Sequence, residues 1–306
     1  MTLPRIISAS RRTDLPAFHA EWFMQCIRAG GCTYPHPFRR GTACAVDLSP
    51  GAVAGLVFWT RHARPLLRHL DELDRMGYRY YFLYTLTGYP RRLERRCPTR
   101  REAVRTIREL SARIGRDRVS WRYDPVLLDA ELTPAWHAAT FARLAADLAP
   151  HVDRVIVSVA DPYRKTLAAL RAGGTPDPSF DVAAYTDTLA ELARLAAGQG
   201  LPIQSCAEAA FVPGMEPGGC VDAARMERTG GRRASRALHR LRPGCLCTVS
   251  TDIGTNDTCA FGCRYCYATA NPDRARAAIA GQRAAARAQH CLRGAVAPEH
   301  RIQRRS

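Results

Sequence analysis

Seven short runs rich in Val, Ile, Tyr and Phe, at residues 5–10, 55–60, 78–87, 119–123, 154–159, 202–206 and 247–252, recur along the chain with longer segments between them. Their near-continuous apolar character is that of strands buried on both faces of a parallel sheet. The segments at residues 16–29, 63–76, 99–114, 134–148 and 182–197 carry apolar residues at three- and four-residue spacing and read as helices. Thr133-Pro134 and Asp14-Leu15-Pro16 suit helix starts, and Gly77, Gly115 and Gly200 suit helix stops. Repeated strand–helix units predict an α/β fold rather than one built from hairpins. Seven strands in 306 residues favour a complete or partial (β/α) TIM-like barrel. Residues 1–270 read as one barrel-like domain with a Cys-rich segment at 206–266, and 271–306 as a C-terminal helix and Arg-rich tail.

No apolar run approaches the roughly 20 residues needed to cross a bilayer, and residues 1–10 lack the pattern of a signal peptide. A cytoplasmic protein is expected. The twelve cysteines then point to metal or cluster ligation rather than to disulfides. The net charge of +17 leaves nucleic-acid binding open. Because the basic residues are almost all Arg, it also reads as a chain-wide compositional habit.

The cysteines are unevenly spread. Cys26, Cys32, Cys44 and Cys97 are scattered, whereas Cys206, Cys220, Cys245, Cys247, Cys259, Cys263 and Cys266 crowd into one stretch. Cys259-Ala260-Phe261-Gly262-Cys263-Arg264-Tyr265-Cys266 has CxxxCxxC spacing. Three thiolates on so compact a loop can hold three irons of a [4Fe–4S] cubane and leave the fourth open. A zinc site with a partner elsewhere is the alternative, although zinc ribbons present two CxxC knuckles and only Cys263 and Cys266 have that spacing. Cys206, Cys220, Cys245 and Cys247 are enough to ligate a second [4Fe–4S] cluster or a zinc ion, or are buried small hydrophobes.

The CxxxCxxC loop, with an aromatic residue before its third cysteine, is similar to that of the radical SAM superfamily. That resemblance implies a [4Fe–4S] cluster on Cys259, Cys263 and Cys266, S-adenosyl-L-methionine on the open iron, Tyr265 near the adenine, and a ferredoxin or flavodoxin as electron donor. Such enzymes usually carry the loop after the first barrel strand, and here it follows the last. Nearly the whole chain also resembles the DUF1848 family, through Ile6-Ile7-Ser8-Ala9-Ser10-Arg11-Arg12-Thr13-Asp14, Val57-Phe58-Trp59-Thr60-Arg61, Thr85-Leu86-Thr87-Gly88-Tyr89, Trp121-Arg122-Tyr123-Asp124-Pro125, Ser205-Cys206-Ala207-Glu208 and Asp252-Ile253-Gly254.

Polar residues fall at the C-terminal ends of the predicted strands, where a barrel gathers its active site. Arg11, Arg12 and Asp14 follow the first, Arg61 the second, Thr87 the third, Arg122 and Asp124 the fourth, Asp161 the fifth, Glu208 the sixth and Asp252 the seventh. Arg11 and Arg61 are candidate cofactor contacts, suited to carboxylate or phosphate. Arg12, Asp14, Arg122, Asp124 and Glu208 are candidates for catalysis on a small-molecule substrate. Any one of them could instead be a helix cap or a buried ion pair. Two further readings stand: a zinc- or cluster-stabilised nucleic-acid-binding protein, and a barrel hydrolase or nuclease using Asp14, Asp124, Glu208 and Asp252 around divalent metals. Trp22, Trp59, Trp121 and Trp136 are expected in the core.

Overall fold

Eight strands pair side by side in one parallel sheet: β1 (Arg5–Ala9), β4 (Val53–Thr60), β5 (Tyr80–Thr85), β6 (Val119–Val126), β7 (Val155–Val159), β8 (Ile203–Ser205), β9 (Glu216–Pro217) and β10 (Ser250–Asp252). The structure, a computed structural model, describes residues 3–36, 39, 42–161, 163–173, 178–179, 181–208, 212–239, 242–285 and 301–304, of which 282–285 and 301–304 are described by backbone alone. The strand order is β10-β1-β4-β5-β6-β7-β8-β9, so each strand from β4 to β9 is added on the same side and β10 returns to the other side of β1. The expected parallel α/β architecture is present, with the sheet left open: among the described residues no ladder joins β9 to β10.

The helices are α1 (Leu15–Phe18), α2 (Ala20–Arg28), α3 (Arg64–Leu67), α4 (Leu70–Arg75), α5 (Arg100–Ile114), α6 (Pro134–Leu148), α7 (Arg164–Ala172), α8 (Val182–Ala197), α9 (Ala223–Arg228) and α10 (Pro272–Ala285). Their ends follow local chemistry. Thr99 and Glu102 form a reciprocal capping box on α5, and Thr133 caps α6 with Pro134 at its first position. Connections that always step the same way leave their helices on one face of the sheet. Phe58, Phe82, Trp121 and Val157 of that face share one core with Phe23, Ile107, Phe141 and Leu192 of the helices.

The other face is covered differently. Ile6, Val57, Tyr81, Leu83 and Ile156, one residue out of phase with the helix-facing set, pack against Cys220, Val221, Ala223, Met226, Cys245 and Cys247. The Gly- and Arg-rich stretch at 212–239 contributes β9 and α9 and acts as a plug. Gly55 accommodates it: a Cβ there would sit 2.1 Å from Met226 Sδ. Buried Arg225 anchors the plug, donating to Ser120 Oγ at 2.7 Å and pairing with Asp153 at 3.3 Å, its guanidinium 4.1 Å from the Tyr81 ring centre.

Two features depart from the sequence expectation. Between β1 and β4, β2 (Gly31–Pro35) and β3 (Thr42–Asp47) form an antiparallel pair, and β11 (Arg301–Arg304) adds in parallel to β3. A hairpin therefore interrupts the strand–helix alternation. Residues 301–304 are strand rather than tail, while the other Arg-rich positions at 293–300 and 305 lie outside the described residues.

Candidate functional site

A cavity of about 640 Å³ opens at the C-terminal ends of the parallel strands. It is lined by residues from both cysteine groups, Cys206, Cys220, Cys245, Cys247, Cys259, Cys263 and Cys266, together with Arg11, Arg12, Asp14, Arg61, Arg122, Asp124, Asp161, Tyr265 and Asp252. Thr87 and Glu208 are not in its lining. Glu208 instead accepts from Val159 N at 2.9 Å, tying the end of β8 to β7, and burial raises its carboxyl.

Asp252, at the end of β10, organises the first strand end. Ser8 Oγ (2.9 Å) and Arg11 N (2.7 Å) donate to one carboxylate oxygen. Ser10 Oγ (2.6 Å), Gly254 N (3.0 Å) and Arg12 Nε (3.2 Å) donate to the other. Burial alone would push this carboxyl up, but the Arg12 and Arg11 guanidinia and these donors hold it below its usual range. Arg12 is thereby committed to Asp252, whose carbonyl it also reaches at 2.7 Å.

Trp59 lies in the cavity wall rather than in the core, its Nε1 donating to Ser8 Oγ at 3.1 Å. The Arg122 and Arg11 guanidinia sit 4.7 and 5.1 Å from its ring centre. Arg122 pairs with Asp124, yet its Nε has no hydrogen-bond partner among the described residues. Arg11 makes no carboxylate ion pair among the described residues; its guanidinium reaches Ser250 Oγ at 3.4 Å.

Asp14 is buried with both oxygens occupied. It caps α1 through Ala17 N (3.0 Å) and accepts from Thr60 Oγ1 (2.8 Å) and Arg61 N (2.7 Å), while burial raises its carboxyl to about 7. Arg61 turns the other way, donating to Glu94 Oε1 at 2.8 Å and to the Tyr265 hydroxyl at 2.5 Å. Tyr265 in turn donates to Glu94, as does Thr87 Oγ1 at 2.5 Å. Glu94, not singled out from the sequence, thus fixes Tyr265 from below the cysteine loop.

That loop is held by backbone as well. Glu94 and Cys263 form an antiparallel bridge, Arg264 N donates to Leu93 O at 2.9 Å and Arg96 N to Phe261 O at 3.0 Å. Gly262 supplies the positive φ of 75° at the turn, and Phe261 packs on Phe18 with ring centres 4.6 Å apart. Cys97, read from the sequence as scattered, places its sulfur 3.6 Å from that of Cys263. The Cys97 hydrogen bond lowers the Cys263 thiol, while burial raises those of Cys259 and Cys266.

In the second group Cys220 Sγ lies 3.2 Å from Cys206 Sγ. Hydrogen bonds from Cys220 and Cys245 draw the Cys247 thiol far down, and Cys206 is lowered by Cys220. Asp161 pairs with Arg242, which also reaches the Cys206 carbonyl at 2.9 Å. Among the described residues no group of three or more His, Cys, Asp or Glu side chains is arranged to hold a metal ion.

Together these features define a parallel α/β protein with a cysteine- and arginine-lined cavity at its strand ends. The chain belongs to the family described as Domain of unknown function (DUF1848), which it matches over residues 6–268. A search of curated proteins finds no match. Among the described residues no helix is long and apolar enough to cross a membrane.

Proposed function

We propose that this protein is an iron–sulfur enzyme of radical SAM type on a barrel-like scaffold. The observation that carries the reading is that Cys259, Cys263, Tyr265 and Cys266 all line the cavity collecting the strand-end arginines. The donor set fits: three thiols from one compact loop face the cavity, while Cys97, beside Cys263, is not in its lining. Cys259, Cys263 and Cys266 would hold a [4Fe–4S] cluster, and Tyr265 would meet the adenosyl group of S-adenosyl-L-methionine. When bound, the reduced cluster supplies the electron that cleaves that sulfonium.

The chain's own residues have definable tasks. Glu94 and Arg61 hold Tyr265 and the loop in register. Arg122 and Arg11, stacked on Trp59, offer guanidinium donors to a carboxylate or phosphate, whereas Arg12 positions β1 against β10 through Asp252. Asp124, on the cavity wall beside Arg122, is placed for a substrate amine or hydroxyl. Asp14 and Asp252 spend their oxygens on internal donors and act as positioning residues. A ferredoxin or flavodoxin is the expected electron donor, and a small molecule the expected substrate.

Iron and sulfide analysis after anaerobic reconstitution tests the loop assignment. The full chain should bind cluster iron, and a Cys259→Ala/Cys263→Ala/Cys266→Ala variant should lose about four irons. Equal iron in both proteins would refute the assignment.

A further inference from the structure

We propose that Cys206, Cys220, Cys245 and Cys247 hold a second iron–sulfur cluster within the same cavity. The inference does not depend on the role given to the first cysteine loop.

The four thiols come from three separate stretches: the end of β8, the approach to α9 and the approach to β10. Nothing in the local sequence spacing brings them together; the plug does. Cys220 lies 3.2 Å from Cys206, and Val221 N donates to Cys247 Sγ at 3.5 Å. All four line the cavity. Gly219 permits the approach, since a Cβ there would sit 2.5 Å from Leu246 O and 2.9 Å from Cys247 Cα. With backbone on the far side, no flexible side chain could yield.

Cysteines serving only as small hydrophobes need no counter-charge. These have one. Arg11 shares the cavity lining with Cys220 and Cys247 and makes no carboxylate ion pair among the described residues, its guanidinium reaching Ser250 Oγ at 3.4 Å. Arg122 pairs with Asp124, lines the same cavity wall as Cys206 and Cys220, and keeps an unpartnered buried Nε. A cluster on four thiolates is anionic, and two guanidinia in the same cavity wall would offset its charge.

The test uses the full chain, reconstituted anaerobically, with iron, sulfide and zinc measured and the reduced protein examined by EPR. Wild type should hold about eight irons. The Cys259→Ala/Cys263→Ala/Cys266→Ala variant should keep about four, with a [4Fe–4S] signal that S-adenosyl-L-methionine does not perturb. Cys220→Ser/Cys247→Ser should lose the complementary four, and Gly219→Ala should lower occupancy with every thiol retained. If the serine variant misfolds, the motif variant decides alone, because it leaves the plug intact. Absence of cluster iron from the motif variant, or zinc in place of iron at this group, would overturn the proposal. Equal iron in wild type and the motif variant, lost in Cys220→Ser/Cys247→Ser, would instead overturn the first assignment and leave this one standing.

Discussion

Cys97 and Cys263 stand 166 residues apart in sequence and bring their sulfurs to 3.6 Å. Cys97 buttresses the loop from behind, for Cys263 lines the cavity and Cys97 does not. Cys97→Ser should therefore retain the motif cluster and its response to S-adenosyl-L-methionine in EPR. Loss of about four irons in that variant would make Cys97 a fourth ligand and close the open iron position.

Glu94 carries the second prediction. Its carboxylate receives Arg61, Tyr265 and Thr87 in a buried setting. Glu94→Gln leaves the Arg61 guanidinium without a countercharge, so unfolding stability should fall by about 3 kcal/mol. Urea denaturation should show a lower midpoint with an unchanged slope. A shift under about 0.5 kcal/mol would assign the pair to the weak class of exposed ion pairs.

Arg122 tests anion recognition. Arg122→Gln removes a guanidinium stacked on Trp59 whose Nε is unpartnered among the described residues. Binding of S-adenosyl-L-methionine to the reconstituted protein, followed by equilibrium dialysis, should weaken roughly tenfold or more, as for loss of a charge-assisted hydrogen bond. Unchanged affinity would place carboxylate recognition on another residue.

His137 sets a pH dependence of stability. Its Nε2 contacts Leu127 O at 3.0 Å and must donate; Nδ1 then accepts from the Tyr123 hydroxyl at 2.8 Å. Burial lowers its pKa from 6.5 to about 4. The fold thus holds the neutral ring while the unfolded chain takes up a proton. The contribution is intact above pH 6.5 and is lost as pH falls toward 4. Urea midpoints measured across that interval should fall less steeply in His137→Gln than in wild type. Parallel curves would show that His137 is not the group responsible.

Much of the architecture was legible in the sequence because both faces of the parallel sheet are covered. The run at 154–159 coincides closely with β7 and that at 55–60 lies within β4 for this reason, whereas only the second half of 247–252 is strand, as β10. The hairpin escaped notice because Gly31 and Pro35 punctuate β2, although the alternate burial of Cys32 and Tyr34 is a period-two signal that could have revealed it. At the site, Arg11, Arg12, Arg61 and Arg122 were found from strand-end position alone. Glu94 was hidden in Arg91-Arg92-Leu93-Glu94-Arg95-Arg96, which reads as a solvated charge run until the cysteine loop pairs with it. Cys97 was missed for the same reason: loop-to-loop pairing across so long a separation leaves no periodic trace. Trp59, expected in the core, proved to be the platform for two arginines, since the phase of β4 turns it toward the cavity.

EPR of the reduced, reconstituted full-length protein with and without S-adenosyl-L-methionine, read alongside 5′-deoxyadenosine formation, tests the proposed activity most directly. A [4Fe–4S] signal that shifts on adding the cosubstrate, is lost in Cys259→Ala/Cys263→Ala/Cys266→Ala, and accompanies 5′-deoxyadenosine release is the expected result. A signal indifferent to S-adenosyl-L-methionine, with no 5′-deoxyadenosine formed, would contradict it.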